Sequence, residues 1–461
     1  MNSQSKKMEL LGSTSIPKAL LAMGIPTMIG MLVNAFYNLV DAYFVGGLGE
    51  SQMGAISVVY PLGQVVVGLG LLFGNGAASY ISRLLGRGDK ENADKVASTA
   101  LYSSIFVGAV IIIISMVFLH PILKLLGATD SILPYAATYA GIYIVSCIFN
   151  VFNVTMNNIV TSEGAAKTTM CALLIGAVLN IALDPLFIYV FDLGVAGAAI
   201  ATAISQVVST CVYLTYILRK KSVFHFRVKD CTYSREIMSE IFKIGIPTLV
   251  FQILTSLSIS LINNAAGDYG DSAIAGMGVV TRLISMGSLS VFGFIKGFQP
   301  IAGYSYGAKK FDRLREAIKT SILWSTVFCV IFGLVLALFP TAIVSQFTKG
   351  DAEMIRIGAA SLRANGITIM LFGFYTVYSS LFLALGKGKE GFILGACRQG
   401  ICFIPVILLL PMVWGLNGIL YAQPIADVLS AIITVFMAIP LHKRLNEMQK
   451  QIATISTGNK N

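Results

Sequence analysis

Two aspartates stand inside stretches that are otherwise apolar: Asp41 within residues 16–45 and Asp184 within residues 166–190. Hydrocarbon solvates charge poorly, so an acid embedded in such a stretch marks function unless another cause explains it. Each acid has polar company at helical spacing. Asn34, Tyr37, Asn38 and Asp41 follow i, i+3, i+4, i+7, and Asn180 and Asp184 follow i, i+4, so each set shares one helix face. Thr202 enters at a similar depth from the next apolar stretch. Two carboxylates, an amide oxygen and a hydroxyl form a hard oxygen set suited to a small cation such as Na⁺. The same two carboxyls could instead share protons, because burial and like charge both disfavour the ionised form. A plainer alternative exists for Asp184, which precedes Pro185 and could satisfy a loosened helix backbone.

The elements that must position these residues are membrane spans. The chain is 56% hydrophobic and 12% charged, with a mean hydropathy of +0.79, far more apolar than a soluble domain. Twelve runs are long enough to cross a ~30 Å hydrocarbon core. They fall at about 16–45, 54–84, 96–118, 132–160, 166–190, 196–218, 236–265, 272–303, 315–339, 354–385, 392–413 and 417–440. They do not alternate polar and apolar residues as barrel strands would, so the expected fold is an all-α integral membrane protein. Asp41 and Asp184 lie five or six residues before the ends of two runs that cross in the same direction, about 7–10 Å below those ends.

The twelve runs are one set of six written twice. Gly24-Ile25-Pro26-Thr27 recurs as Gly245-Ile246-Pro247-Thr248, and the same shift of 221 pairs Gly76 with Gly297 and Gly86 with Gly307. An even number of spans per copy makes the repeat parallel, a common plan for secondary transporters. The expected architecture is two six-helix lobes, 1–218 and 236–461, joined by a basic linker at 219–235 and enclosing a central cleft. Proline early in the first span of each lobe should kink it, which makes Pro26 a candidate hinge. The match to Asp41 in the second lobe is Ile262, and the charges embedded there are Arg282, Lys296, Arg363, Arg398 and Asp427. For these, structural roles are expected: Arg398 and Asp427 as a pair, and Lys296 snorkelling towards the cytoplasm.

The net charge of +11 is distributed by side of the membrane rather than as a nucleic-acid footprint. Most of the 33 Lys and Arg residues fall near the termini and in the 2–3, 4–5, 6–7, 8–9 and 10–11 loops, whereas the opposite loops hold only Lys124, Lys349 and Arg356. The positive-inside rule then puts both termini in the cytoplasm of a multi-pass cell-membrane protein. The first fifteen residues are polar and lead into a span too long for a signal core, so no cleavable signal is expected. Seven scattered cysteines and three distant histidines offer no ligand spacing, so no metal site, cofactor or enzymatic constellation is expected. The glycine-rich segments carry no nucleotide-binding fingerprint.

With these residues in view, the chain resembles the multidrug and toxic compound extrusion (MATE) family along its whole length. The resemblance rests on Pro26-Thr-Met-Ile-Gly-Met-Leu-Val-Asn-Ala-Phe-Tyr-Asn-Leu-Val-Asp-Ala-Tyr-Phe-Val-Gly46, on Asn180-Ile-Ala-Leu-Asp-Pro-Leu-Phe-Ile188, and on Gly194-Val-Ala-Gly-Ala-Ala-Ile-Ala-Thr202. It implies a V-shaped transporter, taken here as a monomer, that exports bulky, often cationic amphiphiles in exchange for Na⁺ or H⁺. It also implies a cation site on Asp41, Asn180, Asp184 and Thr202, whereas the second-lobe acids used by some relatives are absent. Tyr37, Asn34, Asn38, Asn153 and Asn157 are the candidates for contacting solute or supporting the site. The rival reading is a lipid or polysaccharide-precursor flippase, which would need a cationic cleft built from Arg282, Arg363 and Arg398.

Overall fold

The computed structural model describes residues 3–348 and 350–458, so Lys349 and Lys460 of the charge pattern lie outside the described residues. Among the described residues there is no strand. Twelve helices are long and apolar enough to cross a membrane: Ile16–Gly46 (span 1), Gly54–Arg87 (span 2), Lys90–Val117 (span 3), Leu133–Ser162 (span 4), Ala166–Val190 (span 5), Gly194–Leu218 (span 6), Arg235–Gly267 (span 7), Asp271–Gly307 (span 8), Phe311–Leu338 (span 9), Ala352–Ala384 (span 10), Gly388–Trp414 (span 11) and Leu416–Gln451 (span 12). Each coincides with an apolar run, but several outlast it at the end carrying the basic loops, called here the basic end. There, backbone caps set the limits rather than hydropathy. Gly88 (φ 80) closes span 2 in the left-handed conformation, Asp89 accepts from the Asn92 N–H to open span 3, and Ser234 accepts from the Ile237 N–H to open span 7. Hydropathy gave no sign of two short helices at the opposite end, Leu119–Leu125 and Pro340–Ser345. They sit at matching positions of the repeat.

The two halves meet along spans 1 and 8 and spans 2 and 7, and the duplication is visible in the contacts themselves. A Cβ on Gly86 would lie 2.1 Å from the Tyr304 carbonyl oxygen; one on Gly307 would lie 2.1 Å from the carbonyl oxygen of Arg83, the repeat mate of Tyr304. Gly76 would meet the Ile241 carbonyl oxygen at 2.3 Å, and Gly297 would meet the Gly24 nitrogen at 2.5 Å. Small residues let helix backbones approach where lipid supplies no hydrophobic drive for association. Polar pairs run down the same seam: Gln252 Nε2 to Gln64 Oε1 at 2.7 Å, Asn75 Nδ2 to Thr248 Oγ1 at 2.9 Å, Tyr80 OH to Glu236 Oε1 at 3.0 Å, and Arg83 Nη2 to Glu240 Oε2 at 2.6 Å. Among the described residues, Gln64–Gln252 is the hydrogen bond between spans 2 and 7 farthest from the basic end. The seam therefore closes the basic half of the molecule.

A helix before the first span, Ser3–Gly12, lies across this closed end. Lys7 Nζ pairs with the fully buried Glu163 at 3.1 Å, and Glu163 also accepts from Ser222 Oγ at 2.9 Å and the Val223 N–H at 2.6 Å. On the other side, Lys310 Nζ donates to the Gly12 carbonyl at 2.8 Å. Arg313 donates to the carbonyls of Leu10, Leu11 and Thr14. One short helix is thus tied to both halves.

Spans 1 and 7 continue through Pro26 and Pro247 as helix. In each repeat the threonine that follows donates back into the turn: Thr27 Oγ1 to Met23 O at 2.8 Å and Thr248 Oγ1 to Ile244 O at 2.9 Å. The hydroxyl adds a donor to the turn in which proline lacks one.

Replacing both Gly86 and Gly307 by Ala forces methyl groups against backbone oxygens. Overpacking of this kind costs about 1–3 kcal/mol per site, enough to shift a closed-to-open balance by roughly tenfold or more. Spin labels on Lys90→Cys and Lys309→Cys are expected to report a longer distance in that double variant. An unchanged distance contradicts the seam described here.

Candidate functional site

Span 5 supplies a fully buried acid. Asp184 is 0% exposed and Asn180 1%, and Asn180 Nδ2 donates to Asp184 Oδ1 at 3.3 Å. Spans 1 and 5 pack against each other, and this brings the carboxyl of Asp41 within side-chain hydrogen-bonding reach of that of Asp184. Tyr37, one turn before Asp41, lies within electrostatic range of both acids. Three oxygens of the group are buried without a hydrogen-bond partner: Asp41 Oδ1, Asn180 Oδ1 and Asp184 Oδ2. Among the described residues no Lys, Arg or His forms an ion pair with either acid. Buried acceptors without donors are costly, and two neighbouring carboxyls cannot both stay ionised there without a compensating positive charge or proton.

The local chain explains how Asp184 comes to face inward. Pro185 follows it, and the helix then widens into a π turn at Leu186–Val190. Proline removes a backbone donor, and single π turns often accompany functional residues inside helices. Span 4 adds a residue that sequence reasoning passed over. Tyr139 is 7% exposed, stacks on Tyr143 at 5.5 Å, and lies in electrostatic range of Asp41 and Tyr37. Its signal in the sequence was weak, because Tyr135, Tyr139 and Tyr143 at i, i+4, i+8 read as an ordinary aromatic packing stripe.

The other sequence candidates fall in distinct places. Thr202 is half-buried on span 6 and, among the described residues, makes no hydrogen bond to the acid group. Asn38 is exposed and donates to both the carbonyl and the side chain of Asn34, so these two satisfy each other. Asn153 is held in the span 4–span 6 contact, donating to Gln206 at 2.9 Å and accepting from Thr210 at 3.0 Å. Asn157 donates to Tyr213 OH at 3.2 Å and accepts from Lys296 of the second half. Lys296 therefore does not snorkel towards the cytoplasm; it reaches across to the first half.

The second half treats its buried acid differently. Asp427, 2% exposed, accepts from Arg398 Nε at 2.8 Å and from Gln423 Nε2 at 2.9 Å, and the Arg398 guanidinium lies 4.6 Å from the Phe372 ring centre. Arg398 also sits in a π turn, Cys397–Ile401. This acid carries its own fixed counter-ion. Among the described residues no group of three His, Cys, Asp or Glu side chains could hold a metal ion, and all seven cysteines are free.

Comparison with known proteins returns the same plan. The MatE family model matches residues 26–186 and again 247–409, the two halves read as a repeat. The multidrug export protein MepA of Staphylococcus aureus (strain MSSA476) is 32% identical over 429 residues, covering 93% of this chain and 94% of that protein. A solved structure described as the outward-facing conformation of a multidrug resistance MATE family transporter superposes with a TM-score of 0.90 at 28% identity, covering 96% of this chain and 99% of the other. Another, described as MATE in the bent conformation, gives a TM-score of 0.89 at 27% identity, over 97% of this chain and 99% of that one.

Arg398→Ala leaves Asp427 buried without its partner, and breaking a buried pair typically costs about 3–5 kcal/mol. The thermal midpoint of the purified variant is expected to fall by several degrees. An apolar double replacement, Arg398→Met with Asp427→Leu, is expected to recover most of the loss. A midpoint indifferent to Arg398→Ala contradicts the pairing as a structural element.

Proposed function

The chain belongs to the MatE family, and from that membership we propose that it is a multidrug efflux antiporter driven by inward Na⁺ or H⁺. In this reading residues 1–218 and 236–461 are the two moving lobes, 219–235 is the cytoplasmic linker, and both termini face the cytoplasm. The basic end is then the inner end, and the closed seam belongs to an outward-facing state. Lipophilic, often cationic solutes enter the cleft from the inside-open state and leave on the outer side.

One observation carries the coupling step: Asp41 and Asp184 lie together with unpartnered buried oxygens and, among the described residues, no ion pair to neutralise them. An incoming Na⁺ or proton supplies that neutralisation. Asn180 orients Asp184, Tyr37 and Tyr139 wall the group, and Thr202 is assigned as an additional oxygen ligand that joins when span 6 shifts. Once the charge is cancelled, span 1 no longer needs polar surroundings at Asp41 and can repack around a hinge at Pro26, which disfavours the solute-bound arrangement. The coupling is reciprocal, so solute binding must weaken cation binding by the same factor. A potential of 100 mV contributes ~2.3 kcal/mol for each charge carried fully across. Solved MATE structures described in a straight and in a bent conformation support a scaffold with more than one shape. The flippase reading loses ground because Arg398, one of its three cationic residues, is already bound to Asp427.

Ethidium efflux from vesicles, driven first by an imposed pH gradient and then by a Na⁺ gradient, tests the proposal. The parent is expected to export under at least one gradient. Asp41→Asn and Asp184→Asn are each expected to lower the gradient-driven rate at least tenfold. Parental rates in both variants would remove the coupling site.

A further inference from the structure

Lys296 is a cation at membrane depth with no acid beside it. It lies eleven residues before the end of span 8, about 16 Å along the helix. Among the described residues it forms no ion pair. An ammonium has three N–H donors and no acceptor, and among the described residues this one donates to a single acceptor, Asn157 Oδ1 on span 4. Asn157 is fixed in turn by Tyr213, so its oxygen takes one donor and leaves two.

The surroundings are polar but supply no negative charge. Lys296 lines a cavity between the halves with Asn75, Ser79, Asn158, Thr161 and Gln299, and none of the lining residues is acidic. The lining groups also spend their donors elsewhere: Ser79 Oγ on the Leu383 carbonyl, Asn158 Nδ2 on the Val154 carbonyl, and Asn75 Nδ2 on Thr248. The repeat makes the asymmetry plain. Lys296 is the repeat mate of Asn75, and Thr27 is the mate of Thr248. In the first half the neutral amide reaches its threonine. In the second, the charged side chain bypasses Thr27, whose hydroxyl is turned to Met23 and Gly24, and points into the space between the halves. A bare charge at this depth is expensive and calls for a partner.

We propose that Lys296 is an anion-recognition point in the solute path, and that the ligand it takes is the carboxylate of an amphiphilic, typically zwitterionic solute. This rests on the export reading above and narrows its substrate class. A carboxylate presents two acceptor oxygens to the two free N–H donors, and Asn157 holds the ammonium in place between transport events. The acid pair and the ammonium are set apart, one within the first half and one between the halves. A zwitterion can therefore be held by its anionic end without meeting Asp41 or Asp184 directly.

Rhodamine B, which carries a free carboxylate, and rhodamine B ethyl ester, which does not, share one ring system and separate this idea from general hydrophobic binding. Their affinities for the purified full-length protein are read by fluorescence anisotropy. The parent is expected to bind rhodamine B more tightly than the ester. Lys296→Gln is expected to weaken rhodamine B at least tenfold and to change the ester less than twofold. Lys296→Arg, which keeps the charge, is expected to restore the preference, and thermal midpoints of both variants report whether they fold. The proposal is overturned if both dyes weaken in proportion, if neither changes, or if the parent shows no preference for the acid. It is overturned in favour of a lipid headgroup if a short-chain phosphatidylglycerol binds through Lys296 while rhodamine B ignores it. Ethidium export that depends on Asp41 but accompanies rhodamine binding blind to Lys296 would leave the antiporter reading standing and remove only this inference.

Discussion

A carboxyl group taken out of water into a helical bundle within hydrocarbon has to be neutralised by something, and this requirement organises both halves of the molecule. In the second half the answer is permanent. Arg398 donates to Asp427, Gln423 adds a further donor, and the guanidinium rests on Phe372. In the first half no side chain does the job: Asp41 and Asp184 come together with one amide donor from Asn180 and several oxygens unpartnered. One ancestral scaffold has thus been given an acid with a built-in counter-charge on one side and acids without one on the other. Only the second arrangement can exchange what neutralises it.

The seam between the halves follows from the same duplication. Gly86 against Tyr304 and Gly307 against Arg83 are one contact made twice, with backbone touching backbone because no side chain intervenes. Such contacts gain dispersion energy from close approach rather than from exclusion of water. The polar pairs beside them, Tyr80 with Glu236 and Arg83 with Glu240, lie near the basic end, where water can take over their hydrogen bonds. An interface of this type is stable when shut and loses little when opened, which suits a joint better than a core. The apolar clusters that do resist opening lie mainly inside each half, around Phe298, Phe372 and Leu381 in the second and around Ala97, Met156 and Ile159 in the first.

Much of this was legible in the sequence because it rests on periodicity. Twelve apolar runs announced twelve helices, the shift of 221 announced the repeat, and helical spacing placed Asn180 beside Asp184. That Asp41 would come near Asp184 followed from depth and direction alone. What stayed hidden depends on contacts between residues far apart in the chain. Glu163 falls between two apolar runs, where acids are usually solvated, and nothing nearby in sequence names Lys7, Ser222 or Val223 as its partners. Tyr139 carries no pattern that sets it apart from other aromatic residues in a span. Lys296 was read as snorkelling because a long flexible side chain usually finds water; the fixed acceptor on Asn157 comes from another helix and another half. The π turns at 186–190 and 397–401 were likewise invisible, since a one-residue change in helical register leaves no mark in hydropathy.

The helix at Ser3–Gly12 is gripped in an unusual way on its second-half side. Arg313 and Lys310 bind carbonyl oxygens of residues 10 to 14, groups that every amino acid possesses. Its first-half side is gripped through the helix's own side chains, Lys7 on Glu163 and Gln4 on the Ser222 carbonyl. Leu10 and Thr14 can therefore change type and keep that anchorage, whereas Leu11 is fully buried, a Cβ on Gly12 would meet Tyr304 at 2.8 Å, and Arg313 has no such latitude. Over time those two positions can drift while their mooring stays put.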